Sequence, residues 1–160
     1  MITFPTHLLQ GYREFADDDL KKQSKRYREL AEKGQKPETL VVACCDSRAA
    51  PEQIFNAGPG ELFVVRNVAN LVPPYSPDGA FHSTSAALEF AVQVLRVKNI
   101  VVLGHGRCGG IQAALDPAAR IPVLGALMVD VGAPADDADG FISCMGDLAY
   151  SKNSDLSVET

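Results

Sequence analysis

Three short segments that are apolar at almost every position place the strongest constraint on the fold of this chain. They cover residues 39–43, 62–66 and 100–103, and glycine, proline or polar residues flank each of them. Strands of a parallel sheet are apolar on both faces because helices cover both sides of the sheet. The segments therefore predict an α/β fold whose core is a parallel β-sheet flanked by helices.

Helical patterns separate the predicted strands. The longest covers residues 6–33, is amphipathic and rich in charged residues, and ends at Gly34, so we predict one long N-terminal helix or two shorter ones. A helical turn is expected to begin at Pro51, and a helix is expected over residues 83–97. Several prolines and a glycine in residues 71–82 predict a loop.

Polar residues with metal-binding side chains follow two of the predicted strands. Cys44 and Asp46 come after the first strand, and His105 and Cys108 come after the third. Because the carboxyl ends of parallel strands meet at one edge of a sheet, we expect these four side chains to lie together. Thiolate, imidazole and carboxylate groups are the ligands that zinc prefers. The sequence therefore predicts a zinc site, with nearby glycines letting the backbone turn so that His105 and Cys108 face one point.

The role of Asp46 leaves two forms of the predicted site open. Two cysteines and one histidine leave the fourth zinc position for water, which is the pattern of a catalytic site, whereas Asp46 as fourth ligand gives a closed, structural site. A charge-assisted pair with Arg48 would hold Asp46 off the metal and let it orient water beside the metal.

Composition and charge bound the function classes. The 160 residues are 46% hydrophobic and carry a net charge of −5, which fits a globular domain and argues against a nucleic-acid partner. Residues 117–160 hold 2 basic and 7 acidic residues, so we expect a zinc domain over residues 1–116 and a divergent or truncated acidic tail over residues 117–160. No apolar run is long enough to span a bilayer and the N-terminus has no secretory pattern, so we expect a cytoplasmic protein with no membrane partner.

Three motifs resemble those of the β-class carbonic anhydrases, and the resemblance extends over residues 5–115. The motifs are Cys44-x-Asp46-Ser47-Arg48, the run from Glu61 to Asn70, and the glycine-rich segment from Gly104 to Gly110. The resemblance implies a zinc ion held by Cys44, His105 and Cys108, with Asp46 and Arg48 as a pair beside it. It also implies reversible hydration of CO₂ to bicarbonate and a proton by attack of zinc-bound hydroxide, in a homodimer or higher even oligomer.

The same resemblance assigns residues to the substrate. It implies that Gln35 hydrogen-bonds substrate or bicarbonate, and that Phe63, Val68 and Phe90 form an apolar lining where CO₂ rests. In the family this pocket lies at a dimer interface, so some of these side chains are expected from the neighbouring subunit. Arg66, within the second motif, is expected to contact an anion or to pair with an acidic side chain.

Three alternative functions follow from the same residues. With Asp46 on the metal, or with an incomplete assembly, the chain would be a zinc-binding homologue with impaired catalysis. A hydrolase of a related small molecule such as carbonyl sulfide would use the same site. The segment beginning at Gly104 also satisfies the GxGxxG pattern of dinucleotide-binding proteins, but it carries His105 and Cys108 where small neutral residues suit a pyrophosphate.

Overall fold

The structure of the chain, a computed structural model, describes residues 4–73, 83–116 and 150–151. Most of the tail predicted over residues 117–160 and most of the loop predicted over residues 71–82 lie outside these residues, so both stay predictions. In the described part of the chain, no helix is both long and apolar enough to cross a membrane.

The N-terminal unit of the chain, Met1–Gln35, is helical in its described part. Gln23 departs from helical geometry, with φ −102° and ψ 12°, so the predicted long helical segment is interrupted rather than continuous. Gly34 ends the last helix with a φ of +74°, a conformation that glycine adopts without a steric penalty, as the sequence predicted. The elements are α1 (Thr6–Glu14), a π-helical turn (Phe15–Asp19), α2 (Leu20–Lys22) and α3 (Ser24–Lys33).

The second unit, Lys36–Thr160, contains a four-stranded sheet with the order β2-β1-β3-β4. The strand β1 pairs with β2 and with β3 in parallel, which confirms the predicted parallel core. The short strand β4 pairs with β3 in the antiparallel direction. The strands are β1 (Thr39–Cys44), β2 (Leu62–Asn67), β3 (Asn99–Leu103) and β4 (Tyr150–Ser151).

Helical elements alternate with the strands of the parallel core, as the sequence predicted. A 3₁₀ turn and α4 lie between β1 and β2, and a second 3₁₀ turn, Val68–Asn70, follows β2. Arg96, in left-handed geometry with φ +57°, ends the helical segment before β3. The elements are the first 3₁₀ turn (Ser47–Ala49), α4 (Pro51–Ile54), α5 (Ser83–Glu89), a π-helical turn (Phe90–Leu95) and α6 (Gly109–Leu115).

Both faces of β1 are buried, which accounts for its continuous apolar sequence. Leu40 and Val42 pack with Ala91, from the helical segment before β3, on one face of the sheet. Val41 belongs to a separate cluster on the other face. Because side chains alternate along a strand, Cys44 lies on the same face as Leu40 and Val42, at the carboxyl end of β1.

Candidate metal centre

The strands β1 and β3 bring three potential metal ligands to the same edge of the sheet. Cys44 is the last residue of β1, and His105 and Cys108 follow β3 in the loop that leads into α6. Their ligand atoms all lie within 4.8 Å of one another, and the two sulfur atoms are 3.8 Å apart. The exposed fractions are 4% for Cys44, 4% for His105 and 7% for Cys108. The structure thus brings together the three ligands that the sequence predicted.

The imidazole of His105 has one nitrogen free for a metal. Its Nε2 is buried and has no hydrogen-bond partner in the described structure. Its Nδ1 lies 3.1 Å from the carbonyl oxygen of Gly106 and 3.2 Å from Nη2 of Arg48. A proton on Nδ1, donated to Gly106, leaves a lone pair on Nε2, whereas the other tautomer would bury an Nε2–H with no acceptor. The orphaned nitrogen therefore fits a metal ligand.

A cation beside the two sulfur atoms would favour ionisation of the Cys108 thiol. Burial raises the pKa of the Cys108 thiol and the charge of Cys44 raises it further, against the opposing hydrogen bonds from the backbone N–H groups of Ile111 and Gly110. A bound Zn²⁺ reverses this balance, because a thiol that coordinates the ion loses its proton. Two buried sulfur atoms and one imidazole nitrogen are thus a donor set that fits zinc.

Asp46 is clamped by Arg48 beside these ligands. Nε and Nη2 of Arg48 donate to Oδ1 and Oδ2 of Asp46, each at 2.9 Å, and the Arg48 backbone N–H donates to Oδ1 at 2.9 Å. These hydrogen bonds hold the pKa of the Asp46 carboxyl well below its usual range, so the group is ionised at neutral pH. Oδ2 lies 3.8 Å from Nε2 of His105. This pairing, beside the ligands, is the one that the open form of the site requires.

A turn after β2 supports the segment that carries Cys108. The turn is Val68–Asn70, and Ala69 within it is buried and left-handed, with φ +66°. A β-carbon on Gly110 would lie 2.7 Å from Cγ1 of Val68 and 3.2 Å from Cβ of Ala69. Only glycine at this position lets α6 approach the turn so closely, and this contact holds the loop before α6 in place.

Two backbone features near the metal ligands were not identified from the sequence, the turn closed by Asn67 and the left-handed conformation of Arg107. The side-chain amide of Asn67 donates to the carbonyl of Leu71 and accepts from the Leu71 N–H, each at 2.7 Å, and so closes the turn between them. In the loop between β3 and α6, the residue with positive φ is Arg107, at +54°, rather than any of the glycines. None of the glycines in this loop has a positive φ, and the steric need for glycine that the structure shows is the close approach at Gly110.

Comparison with known proteins identifies the family. A sequence profile described as carbonic anhydrase matches residues 39–138, which is more than half of the chain. The chain belongs to the carbonic anhydrase family. The resemblance predicted from the three sequence motifs is thereby confirmed.

The relatives of this carbonic anhydrase chain are of the β class. It is 53% identical over 89 residues to beta carbonic anhydrase 5, chloroplastic, of Arabidopsis thaliana. The aligned segment covers 56% of this chain and 29% of that protein. It is 47% identical over 106 residues to beta carbonic anhydrase 3 of the same plant. This aligned segment covers 66% of this chain and 40% of that protein. The chain thus spans less than half the length of both relatives.

A solved structure shares the fold. One of two tetrameric beta-carbonic anhydrases from the ascomycete Sordaria macrospora superimposes with a TM-score of 0.65 at 35% sequence identity. The match covers 78% of this chain and 60% of that chain. This agreement supports the parallel sheet and its flanking helices as the family fold.

Two of the residues that the resemblance assigns to the substrate contact each other in this carbonic anhydrase chain. The rings of Phe63 and Phe90 are 5.9 Å apart between centroids. Phe63 pairs with Leu40, four residues before Cys44 along β1, which corresponds to about 13 Å of strand. Within one chain, the two rings therefore lie toward the amino end of the parallel strands, away from the metal ligands.

The other two assigned residues lie elsewhere. Val68 is 50% exposed and adjoins Gly110 through the close approach described above, so it lies beside the start of α6. Gln35 is exposed and is the last residue of the N-terminal unit. The substrate-binding roles of all four residues stay predictions.

We expect Gly110→Ala to weaken zinc binding about 10- to 100-fold, because the added methyl group would overlap Val68 and displace the segment that carries Cys108. Gly109→Ala is the matched control, since a β-carbon at Gly109 meets no atom within 4 Å. Zinc affinity is measured by competition with a chromogenic chelator. Equal affinities for the two variants would contradict the supporting role of this contact.

Proposed function

We propose that this chain is a zinc-dependent carbonic anhydrase that interconverts CO₂ and bicarbonate, with a proton as the second product of hydration. The observation that carries the proposal is the buried set of two sulfur atoms and one imidazole within 4.8 Å, in which Nε2 of His105 is unpartnered. Three protein ligands leave a fourth tetrahedral position, which is the pattern of catalytic zinc. Membership of the family supports the same reaction.

Cys44, His105 and Cys108 would hold the zinc ion. The chemistry that zinc supplies at such a site is Lewis acidity, which makes water reactive near neutral pH. With its proton on Nδ1, His105 would donate to the carbonyl of Gly106, and this hydrogen bond would fix the orientation of the ring. Burial of all three ligands excludes bulk water from their side of the site.

Asp46 is proposed to orient the water that attacks CO₂. Its carboxylate is ionised and therefore only accepts hydrogen bonds. Arg48 donates two of these to Oδ1 and one to Oδ2, so Oδ2 keeps a lone pair for a further donor. Because the guanidinium donates to both oxygens, the carboxylate plane is fixed and the remaining lone pair of Oδ2 has a set direction. In the closed form, Asp46 would instead be the fourth zinc ligand.

The alternative functions make different demands on the same residues. A dinucleotide would need the GxGxxG segment open to a pyrophosphate, yet His105 and Cys108 within it are buried beside Cys44. An impaired zinc-binding homologue would keep the metal and show no turnover. A carbonyl sulfide hydrolase would release sulfide, so a sulfide assay beside the CO₂ assay distinguishes the two substrates.

We expect Cys44→Ser and Cys108→Ser to lose zinc, because each removes one of the three proposed ligands. Cys45→Ser is the matched control, since Cys45 is the next residue in the chain and is exposed. Zinc per chain is measured by mass spectrometry of the metal after dialysis. Full zinc occupancy in the Cys44 or Cys108 variant would contradict the ligand assignment.

We expect Asp46→Asn to keep zinc and to lose CO₂ hydration by about 10- to 100-fold, because the amide is a weaker acceptor and no longer pairs as a charge with Arg48. Glu52→Gln, at an exposed position of the same unit, is the control. Hydration is measured by stopped flow at neutral and alkaline pH. Activity of the unaltered chain at alkaline pH alone would indicate the closed form, and unchanged turnover in Asp46→Asn would remove Asp46 from the mechanism.

A homodimer or higher even oligomer is proposed as the working assembly. The tetrameric state of the Sordaria macrospora proteins supports it. So do exposed apolar side chains in both units, because large apolar surfaces on a folded chain commonly mark subunit contacts. In the N-terminal unit these include Leu8 and Tyr12, and in the second unit they include Phe90 and Val94.

We expect sedimentation equilibrium at micromolar concentration to give at least twice the chain mass of 17.1 kDa. Tyr12→Glu should shift the distribution toward the single chain, because Tyr12 is 66% exposed and a buried charge at a subunit contact is costly. Arg28→Gln, at an exposed position of the same unit, is the control. A species of chain mass alone in the unaltered protein would contradict the proposed assembly.

The cytoplasm is proposed as the location of the protein. The cysteines in the described residues, Cys44, Cys45 and Cys108, are free thiols, and reducing compartments keep thiols in this state. That state is the one that the proposed zinc ligands need.

A further inference from the structure

The turn that follows β1 carries both a proposed zinc ligand and the proposed water-orienting carboxylate. Pairing between β1 and β3 ends at Ala43, whereas pairing between β1 and β2 continues to Cys44. The turn from Cys44 to Asp46 therefore begins where the pairing of β1 with its neighbouring strands ends. The N–H of Asp46 reaches back to the Cys44 sulfur at 3.5 Å, so the ligand and the carboxylate depend on one short stretch of backbone.

Arg66 bridges this turn from the neighbouring strand. It lies opposite Ala43 in the register of β1 and β2, and by strand alternation its side chain starts on the face opposite to that of Cys44. Its guanidinium reaches past the end of β1. There Nε donates to the carbonyl of Cys44 at 3.0 Å, and Nη2 donates to the carbonyl of Asp46 at 2.7 Å.

We propose that Arg66 is a positioning residue for the metal centre, which it serves by fixing the two carbonyl groups on either side of Cys45. A planar guanidinium with two donors at a set spacing fixes the separation and direction of both acceptors. That restraint keeps the Asp46 N–H on the Cys44 sulfur and keeps the Asp46 carboxylate toward Arg48. The proposal deepens the proposed function and rests on zinc binding at this site.

Because Arg66 is exposed, its effect on the metal centre can be distinguished from an effect on the stability of the fold. Arg66 is exposed and lies outside the buried clusters of the sheet, so its hydrogen bonds to the turn are expected to add little to global stability. Its Nε and Nη2 donate to backbone carbonyl oxygens, and the expected contact with an anion or an acidic side chain stays a prediction. A substitution should therefore disturb the site more than the fold.

Arg66→Met is the main test, with Arg66→Lys as the conservative variant and Arg28→Met as a control for the loss of one exposed arginine charge. We expect Arg66→Met to release zinc to a chelator about 10- to 100-fold faster than the unaltered chain, with Arg66→Lys between the two. The cobalt-substituted Arg66→Met protein should show an altered visible spectrum, which reports ligand geometry directly. The thermal unfolding of the metal-free variants should match that of the unaltered chain.

Hydrogen exchange in the metal-free protein tests the same restraint without zinc. The amide of Cys45 donates to the Asn67 carbonyl at 2.9 Å and the amide of Asp46 donates to the Cys44 sulfur. Both amides should exchange faster in Arg66→Met than in the unaltered chain and in Arg28→Met.

Unchanged zinc release together with unchanged exchange at the turn would overturn the proposal. It is also overturned if Arg66→Lys recovers nothing while metal-free unfolding falls in both Arg66 variants, since that result describes a purely structural residue. Failure of the unaltered chain to bind zinc is a separate outcome. It would refute the proposed function, while the exchange rates of the metal-free turn would still decide the role of Arg66.

Discussion

Parallel pairing of β1 with both of its neighbours is the constraint on which the rest of the structure depends. It aligns the carboxyl ends of β1 and β3, so the loops that leave these strands start at the same edge of the sheet. It also buries both faces of β1, which leaves that edge as the place where polar side chains gather without interrupting the core. If β3 ran in the opposite direction, His105 and Cys108 would lie at the other end of the sheet from Cys44.

The polar side chains at this edge form two groups, the metal-binding thiols and the Asp46–Arg48 pair, whose acidic groups have pKa values shifted in opposite directions. The sulfur atoms of Cys44 and Cys108 are 3.8 Å apart, and burial raises the pKa of the Cys108 thiol, so a nearby cation would favour its ionisation. Asp46 is ionised without a metal, because Arg48 supplies the balancing charge. Metal binding would therefore favour loss of the Cys108 proton, whereas the Asp46 carboxylate is already ionised.

The strands and the ligands were predictable because each rests on a local pattern. Continuous apolar runs marked the parallel strands, and metal-binding residues directly after two of them marked the edge where they meet. The support for the site was not predictable in this way. The need for glycine at Gly110 arises from a turn in another part of the chain, and the left-handed residue of the loop is Arg107, which no glycine pattern indicates. The hydrogen bonds of Arg66 go to backbone carbonyls, which carry no signature in the sequence.

The close packing at Gly110 ties the evolution of two distant segments together. The space that a side chain at this position would need is filled by Val68 and Ala69, so neither segment can gain volume independently of the other. A larger residue at position 110 would need space both from the branched side chain of residue 68 and from Ala69, whose β-carbon and backbone nitrogen each lie 3.2 Å from that position. Related sequences should therefore show correlated residue sizes at positions 68 and 110, even though the two lie on different elements of the fold.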